Sequence, residues 1–226
     1  MKTKALKELD LKAIVLTQLR KQKAINRSTI LTTEYSISAS NLRADLAILG
    51  SEFIGVEIKS EVDTLRRLSH QLFGYLSVFD RVILVVAEKH WNNIKEKDLG
   101  ATEIWRIDNR GSIVSIRPPL TSAALVNRVG LVSLMTKRER AKMKIDLSTI
   151  NEIDQKEVFS CAFRNRFSKT SLDFWNQVGR KKINSLDLKL LSRFRDRRIL
   201  TEQAIKERHD RHTEMAQYWV SAGDTT

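Results

Sequence analysis

Proline is almost missing from this chain: two residues in 226, side by side at Pro118-Pro119. Proline withholds an amide donor and disfavours helix in the residue before it, so the pair marks the natural break in the sequence. A single cysteine, Cys161, excludes an intramolecular disulfide framework, and with only four scattered histidines it argues against a structural zinc site. His209 and His212 stand three apart with no further ligand cluster and read as a solvated helix face. The eight glycines are dispersed, and none forms the spacing of a phosphate-binding loop. No apolar run approaches the ~20 residues of a membrane span. Met1-Lys2-Thr3-Lys4 leads into an amphipathic segment, not a signal-peptide core, so the expected setting is cytoplasmic, with no membrane partner.

Positive charge is what the chain has in excess. Forty Lys and Arg against 27 Asp and Glu give a formal charge of +13. The surplus is +5 over residues 1–120 and +8 over 121–226. A charge of this sign favours polyanions through counterion release, so nucleic acid is the first partner to consider, beside the plainer alternative of a well-solvated surface. With 42% hydrophobic residues there is enough apolar material for a core.

Patterning divides the chain at the prolines. Residues 4–23 read as a helix with Leu6, Leu9, Ala13, Leu16 and Leu19 on one side and Lys7, Lys12, Arg20 and Lys21 elsewhere. Strands are expected at 29–36, 42–49 and 53–58, the last two joined by the turn Gly50-Ser51-Glu52. Asp63 is a candidate N-cap for a helix to about Phe79. The unbroken apolar run 82–87 suits a strand buried on both faces. A short helix near 91–97 and strands at 103–107 and 113–116 follow. Beyond the prolines four to six helices are expected, with start signals at Thr136/Glu139, Asp154/Glu157, Thr170/Asp173 and Thr201. Phe159, Phe163 and Phe167 form a stripe at helical spacing, read as core in preference to base stacking, and Cys161 reads as core too.

The chemistry-bearing stretch is Leu42–Leu49, the turn, and Phe53–Lys59. Side chains alternate along a strand, so Glu57 and Lys59 share one face while Val56 and Ile58 share the other. If the turn is a three-residue hairpin loop, Leu49 pairs with Phe53 and Asp45 falls opposite Glu57, with Cβ atoms roughly 4.5–5.5 Å apart. Two carboxylates that close need a cation, and hard oxygen donors suit Mg²⁺ or Mn²⁺. Lys59 is placed to hold an attacking water or to neutralise charge on a phosphate. The bland alternative is an exposed Glu/Lys/Asp cluster on a solvated sheet face. Acid-any-lysine is a common pattern, present also at Asp10-Leu-Lys12, Asp154-Gln-Lys156 and Asp187-Leu-Lys189, but those three lie in helical patterns.

Asp45 followed by Glu57-Ile58-Lys59, a helix and a buried strand resembles the PD-(D/E)XK nuclease superfamily. The stretch from Arg43 to about His90 is similar to a little-characterised bacterial and phage group within it, through Arg43-Ala44-Asp45, Val56–Glu61, Asp63–Leu68 (with Arg66-Arg67), Gln71, Tyr75 and Phe79-Asp80. Ala44 replaces the proline of the motif. The resemblance implies that Asp45 and Glu57 bind metal and that Lys59 assists phosphodiester hydrolysis. Glu34 is like the additional acid many such enzymes place near the metal, or else an ordinary surface glutamate. Gln71 and Tyr75, four apart on one helix face, are similar to a motif beside the active site of RecB-type nuclease domains.

The sequence therefore leads to an α/β protein: a restriction-endonuclease-like core over 1–119, with a central mixed β-sheet flanked by helices, followed by a basic all-helical region over 120–226. The expected activity is that of a divalent-metal-dependent nuclease using Mg²⁺ or Mn²⁺. Catalytic and metal-binding roles fall to Asp45, Glu57 and Glu34, with Lys59 catalytic. Nucleic-acid contacts fall to Arg43, Arg66, Arg67, Gln71 and Tyr75, and to Arg193 and Arg197 in the run Arg193–Arg198. DNA is the expected partner, with RNA not excluded, and a homodimer is allowed but not indicated. The alternative is a catalytically silent nucleic-acid-binding or assembly module on the same fold, and a third reading is a protein scaffold whose charge serves solubility.

Overall fold

The computed structural model of the chain describes residues 6–37, 42–119, 130–145, 151–192 and 211. Six strands form one mixed sheet in strictly sequential order: β1 (Ile30–Ile37), β2 (Leu42–Leu49), β3 (Phe53–Lys59), β4 (Arg81–Ala87), β5 (Thr102–Ile107) and β6 (Ile113–Arg117). The pairs β1–β2 and β2–β3 are antiparallel, β3–β4 and β4–β5 are parallel, and β6 returns antiparallel to β5. The helices are α1 (Glu8–Lys21), α2 (Leu68–Leu76), α3 (Glu88–Ile94), α4 (Lys137–Lys142) and α5 (Glu152–Val178). The protein is α/β, a mixed sheet flanked by helices with a helical segment after it.

Both faces of the sheet are covered, which explains why β4 carries apolar residues without alternation and why every residue of β3 is buried. On one face Leu11, Val15, Leu16 and Leu19 of α1 pack against Leu46, Ile48, Ile54, Val56, Ile58, Ile83, Val85 and Trp105. On the other, Leu68, Leu72 and Tyr75 of α2 meet Ala47, Leu49, Phe53, Leu84 and Val86. Parallel pairing demands crossover connections, and α2 and α3 supply them between β3, β4 and β5. Gly55 leaves room for the Phe79 ring, whose atoms would lie 2.3–2.6 Å from a Cβ at that position.

The long helix α5 joins the two layers. Phe159, Phe163 and Phe167 enter the α2 side, stacked among Tyr35, Phe53 and each other, while Phe174, Trp175 and Val178 enter the α1 side. Between them, Ser171 donates to the Leu31 carbonyl at 3.0 Å and accepts the Leu31 N–H at 2.8 Å, and Trp175 Nε1 donates to the Thr29 carbonyl at 2.9 Å. These bonds satisfy the outer edge of β1, which would otherwise offer unpaired backbone groups.

Several expectations change. Pro118-Pro119 does not end the packed unit, which continues to Ser192, because α5 completes both cores. The 63–79 helix shortens to α2: Asp63 does not cap it, since its carboxylate takes the Ser60 N–H and hydroxyl at 2.8 and 2.5 Å and closes a turn instead. α3 starts directly at the end of β4, three residues before the expected position. Thr136 and Glu139 form the expected capping box. Asp154 and Thr170, by contrast, lie inside α5, whose cap is Asn151, accepting from the Asp154 N–H. With no Gly or Pro between 151 and 178, nothing interrupts that helix until Gly179, at φ 54°. Cys161 is exposed rather than core, whereas the phenylalanine stripe is core. Thr201, Arg193, Arg197, His209 and His212 lie outside the described residues. Among the described residues no helix is long and apolar enough to cross a membrane.

Candidate functional site

The hairpin pairs Leu49 with Phe53 and ends at Leu46 with Val56; Asp45 and Glu57 are the next residues along the two strands and are not themselves a ladder pair. Asp45 Oδ2 instead accepts the Ile58 N–H at 2.7 Å, while β3 continues alone with β4 to Lys59. At the same level the side-chain alternation of β1 and β2 slips. Leu31 and Leu46 face the α1 layer, but Tyr35 and Ala44 face the α2 layer. Glu34 sits at the slip in a left-handed backbone, φ 56°, a conformation costly for a residue with a Cβ and concentrated at functional sites. The strands separate, and a cleft of about 660 Å³ opens at the carboxyl end of β3. Glu8, Arg43, Asp45, Glu57, Lys59, Arg67, His70 and Gln71 are among its lining residues. Crevices at the carboxyl ends of parallel strands are common ligand sites in α/β sheets.

Glu57 is not on a solvated face. Its 3% exposure removes the bland alternative of a surface charge cluster. Every donor on it comes from a neighbour in the fold: Tyr75 gives its phenol to Oε2 at 2.6 Å, and Gln71 Nε2 and Lys59 Nζ each reach Oε1 at 2.7 Å. Lys59 also donates to Gln71 Oε1 at 2.9 Å. The i, i+4 spacing of Gln71 and Tyr75 thus sets two donors on one carboxylate from a single helix face. Burial, then the Glu57 carboxylate beside it, pushes the Tyr75 phenol well above its ordinary range, so it stays a donor.

A second network surrounds Lys12. The sequence places this lysine on the polar side of α1, yet it is 1% exposed. Its ammonium lies 2.5 Å from Glu8 Oε1, in contact with Glu34 Oε1, and 3.8 Å from Asp45 Oδ1. The slip of β1 and β2 is what turns Glu34 toward α1. Burial alone would lower the Lys12 ammonium, but Asp45, Glu34 and Glu8 more than reverse this and raise it above the ordinary lysine value. Burial and the nearby Glu57 push the Asp45 carboxyl up to about 8, against the pull of Lys12 and of the Ile58 N–H.

The expected metal set is therefore divided. Asp45 and Glu57 both line the cleft, but Glu34 stands behind, with Oε1 on Lys12 and Oε2 accepting Arg43 Nε at 2.8 Å. Arg43 is exposed and lines the cleft with Arg67, and Arg66 is exposed on the approach to α2. Gln71 and Tyr75, expected to meet nucleic acid, are turned onto Glu57, and Tyr75 is fully buried. Arg193 and Arg197 are outside the described residues. Sequence reasoning missed Lys12, Glu8 and His90. The last is buried, with Nε2 2.9 Å from the Ser60 carbonyl, and it fixes the chain just after Lys59. The Asp10-Leu-Lys12 triplet was visible, but only the placement of α1 beside the strand slip gives it meaning.

The donors toward the cleft are carboxylate oxygens, two of them backed by buried lysines, and this chemistry fits a hard divalent cation such as Mg²⁺ or Mn²⁺. A compact unit ending at Ser192 also coincides with what the chain is similar to. The family described as Bacteriophage P4 protein cII matches residues 1–192. Protein cII of Enterobacteria phage P4 is 26% identical over 215 residues, covering 85% of this chain and 80% of that protein. No solved structure matches the chain. Because the match runs from the first helix to the last residue of the packed unit, the chain belongs to the bacteriophage P4 protein cII family.

Proposed function

We propose that this protein is a divalent-metal-dependent phosphodiesterase acting on DNA. The observation that supports it most is the arrangement at the end of β3. Glu57 and Lys59 project side by side into a cleft that Asp45 enters from the neighbouring strand, and Gln71 and Tyr75 hold Glu57 in place. The resemblance to PD-(D/E)XK nucleases rests on these same residues.

Asp45 and Glu57 would hold Mg²⁺ or Mn²⁺, which when bound supplies Lewis-acid activation of a phosphodiester and a lowered pKa for water. The chain's own groups have separate tasks. Lys59 presents a compact point charge where charge grows on phosphate oxygens, or holds the attacking water. Gln71 and Tyr75 fix the Glu57 carboxylate so that it need not reorganise. Arg43 and Arg67 at the rim meet the phosphate backbone, and the overall charge of +13 draws it in.

A second reading, binding without cleavage, draws on one observation: Lys12 already occupies the Glu8, Glu34 and Asp45 cluster. Cleavage assays on linear, nicked, branched and single-stranded DNA, with Mg²⁺, Mn²⁺ or EDTA, separate the two. Cleavage that EDTA abolishes supports the first reading; binding with no cleavage under any metal supports the second.

A further inference from the structure

Three carboxylates, from Glu8, Glu34 and Asp45, bring oxygens within 4.8 Å of one another, the geometry in which one cation serves all three. That cation is already part of the chain. The Lys12 ammonium bonds Glu8 and Glu34 and lies 3.8 Å from Asp45. We infer that Lys12 is a built-in counter-cation that takes the place of a second metal ion and limits the centre to one divalent ion, shared by Asp45 and Glu57. This rests on the phosphodiesterase reading and specifies its metal stoichiometry.

Three features carry the inference. First, Lys12 cannot readily leave. It is 1% exposed, and its ammonium is held between Glu8 and Glu34. Second, each Glu34 oxygen already faces a cation of the chain: Oε1 meets Lys12 and Oε2 meets Arg43. The left-handed backbone that delivers Glu34 thus serves the ammonium and not the cleft. Third, the charge is nearly balanced without metal. With Asp45 ionised, as a metal ligand must be, Glu8, Glu34, Asp45 and Glu57 face Lys12, Arg43 and Lys59 and leave a residual of one negative charge, which one divalent ion more than neutralises.

The test is calorimetric titration of the full chain with Mn²⁺, no substrate present, on the parental protein, Lys12→Met and Glu8→Gln. Methionine keeps length and apolar bulk while removing the charge. The parental chain should bind one Mn²⁺, and Lys12→Met two. Glu8→Gln should keep one site with affinity within about threefold, because Glu8 serves the ammonium and not the ion. Two ions on the parental chain, or one on Lys12→Met, overturn the inference while leaving the phosphodiesterase reading standing. No ion on any of the proteins overturns both. Should Lys12→Met not fold, Glu8→Gln still decides: Glu8 is half-exposed at a helix start, and a tenfold or larger loss of Mn²⁺ affinity there would make it a metal ligand and refute the role given to Lys12.

Discussion

The Tyr75 hydroxyl lies 2.6 Å from Glu57 Oε2 and 2.7 Å from the Arg43 carbonyl, so one phenolic proton serves two acceptors on two different strands. This ties the carboxylate on β3 to the backbone of β2 at the level where the two strands have stopped pairing. Tyr75→Phe keeps the ring and its edge contact with Phe79 but leaves both acceptors short. A hydrogen bond to a charged group contributes about 1.5–3 kcal/mol, so urea unfolding should show a lower midpoint by that amount with an unchanged m value. An unaltered midpoint would mean the phenol does not hold the two strands together.

Lys59→Ala should lower single-turnover cleavage by about 10²–10³, the usual loss for one donor to developing charge, with little change in DNA affinity. Arginine there should restore only part of the rate, because a planar fork replaces a compact point charge. Gln71 would still hold Glu57 in the alanine variant. Cleavage at the parental rate would remove Lys59 from the chemistry.

Asp45 gives the metal-free protein a defined pH response. An ordinary aspartate titrates near ~3.9, and in the folded chain this one is raised to about 8. Between those values the folded state holds a proton that the unfolded state has lost. Stability from this group is therefore complete in acid and falls as pH rises, by at most ~1.4 kcal/mol per unit. Asp45→Asn retains an acceptor for the Ile58 N–H and removes the titration. Denaturation at pH 5, 7 and 9 in EDTA should show the asparagine variant gaining on the parental protein as pH rises. Parallel profiles would contradict the buried-carboxylate account.

Gly55→Ala tests the close approach under the cleft. Its Cβ would lie 2.3 Å from Phe79 Cδ2, with both residues in a filled layer, and overpacking of this kind costs typically 1–3 kcal/mol. Adding Phe79→Leu should make the pair less destabilised than the two single effects combined, read from thermal melts. Strict additivity would mean the ring does not meet position 55.

Binding to DNA should weaken steeply with salt, at a log–log slope of about −0.9 per duplex phosphate contacted. A salt-insensitive affinity would deny the surplus of basic side chains any part in it.

How far the site could be read in advance depended on sequence distance. The hairpin loop Gly50-Ser51-Glu52 determines the Leu49–Phe53 pair, and counting back from it aligns Asp45 with Glu57; the alternation of side chains does the rest. Gln71 and Tyr75 were legible because helix spacing puts them together, though their target, Glu57, was not. Asp63 misled because an aspartate that caps a helix and one that closes a turn look alike until the backbone is placed. Lys12 was invisible for a different reason. Its burial follows from α1 lying against a slip in β1 and β2, and the left-handed backbone of Glu34 that makes the slip has no glycine or asparagine to announce it.

The reach of α5 across both layers imposes an order on synthesis. β1 leaves the ribosome long before the helix that seals its edge and covers Tyr35 and Phe53, so the nascent chain must carry an incomplete aromatic layer until residues 159–175 emerge. Glu34 and Tyr35 are adjacent on that strand, one in the acidic cluster and the other in the aromatic layer. The strand that carries Glu34 is therefore held at Leu31 and Tyr35 only once α5 has docked, and a chain halted at Pro118-Pro119 would lack those contacts.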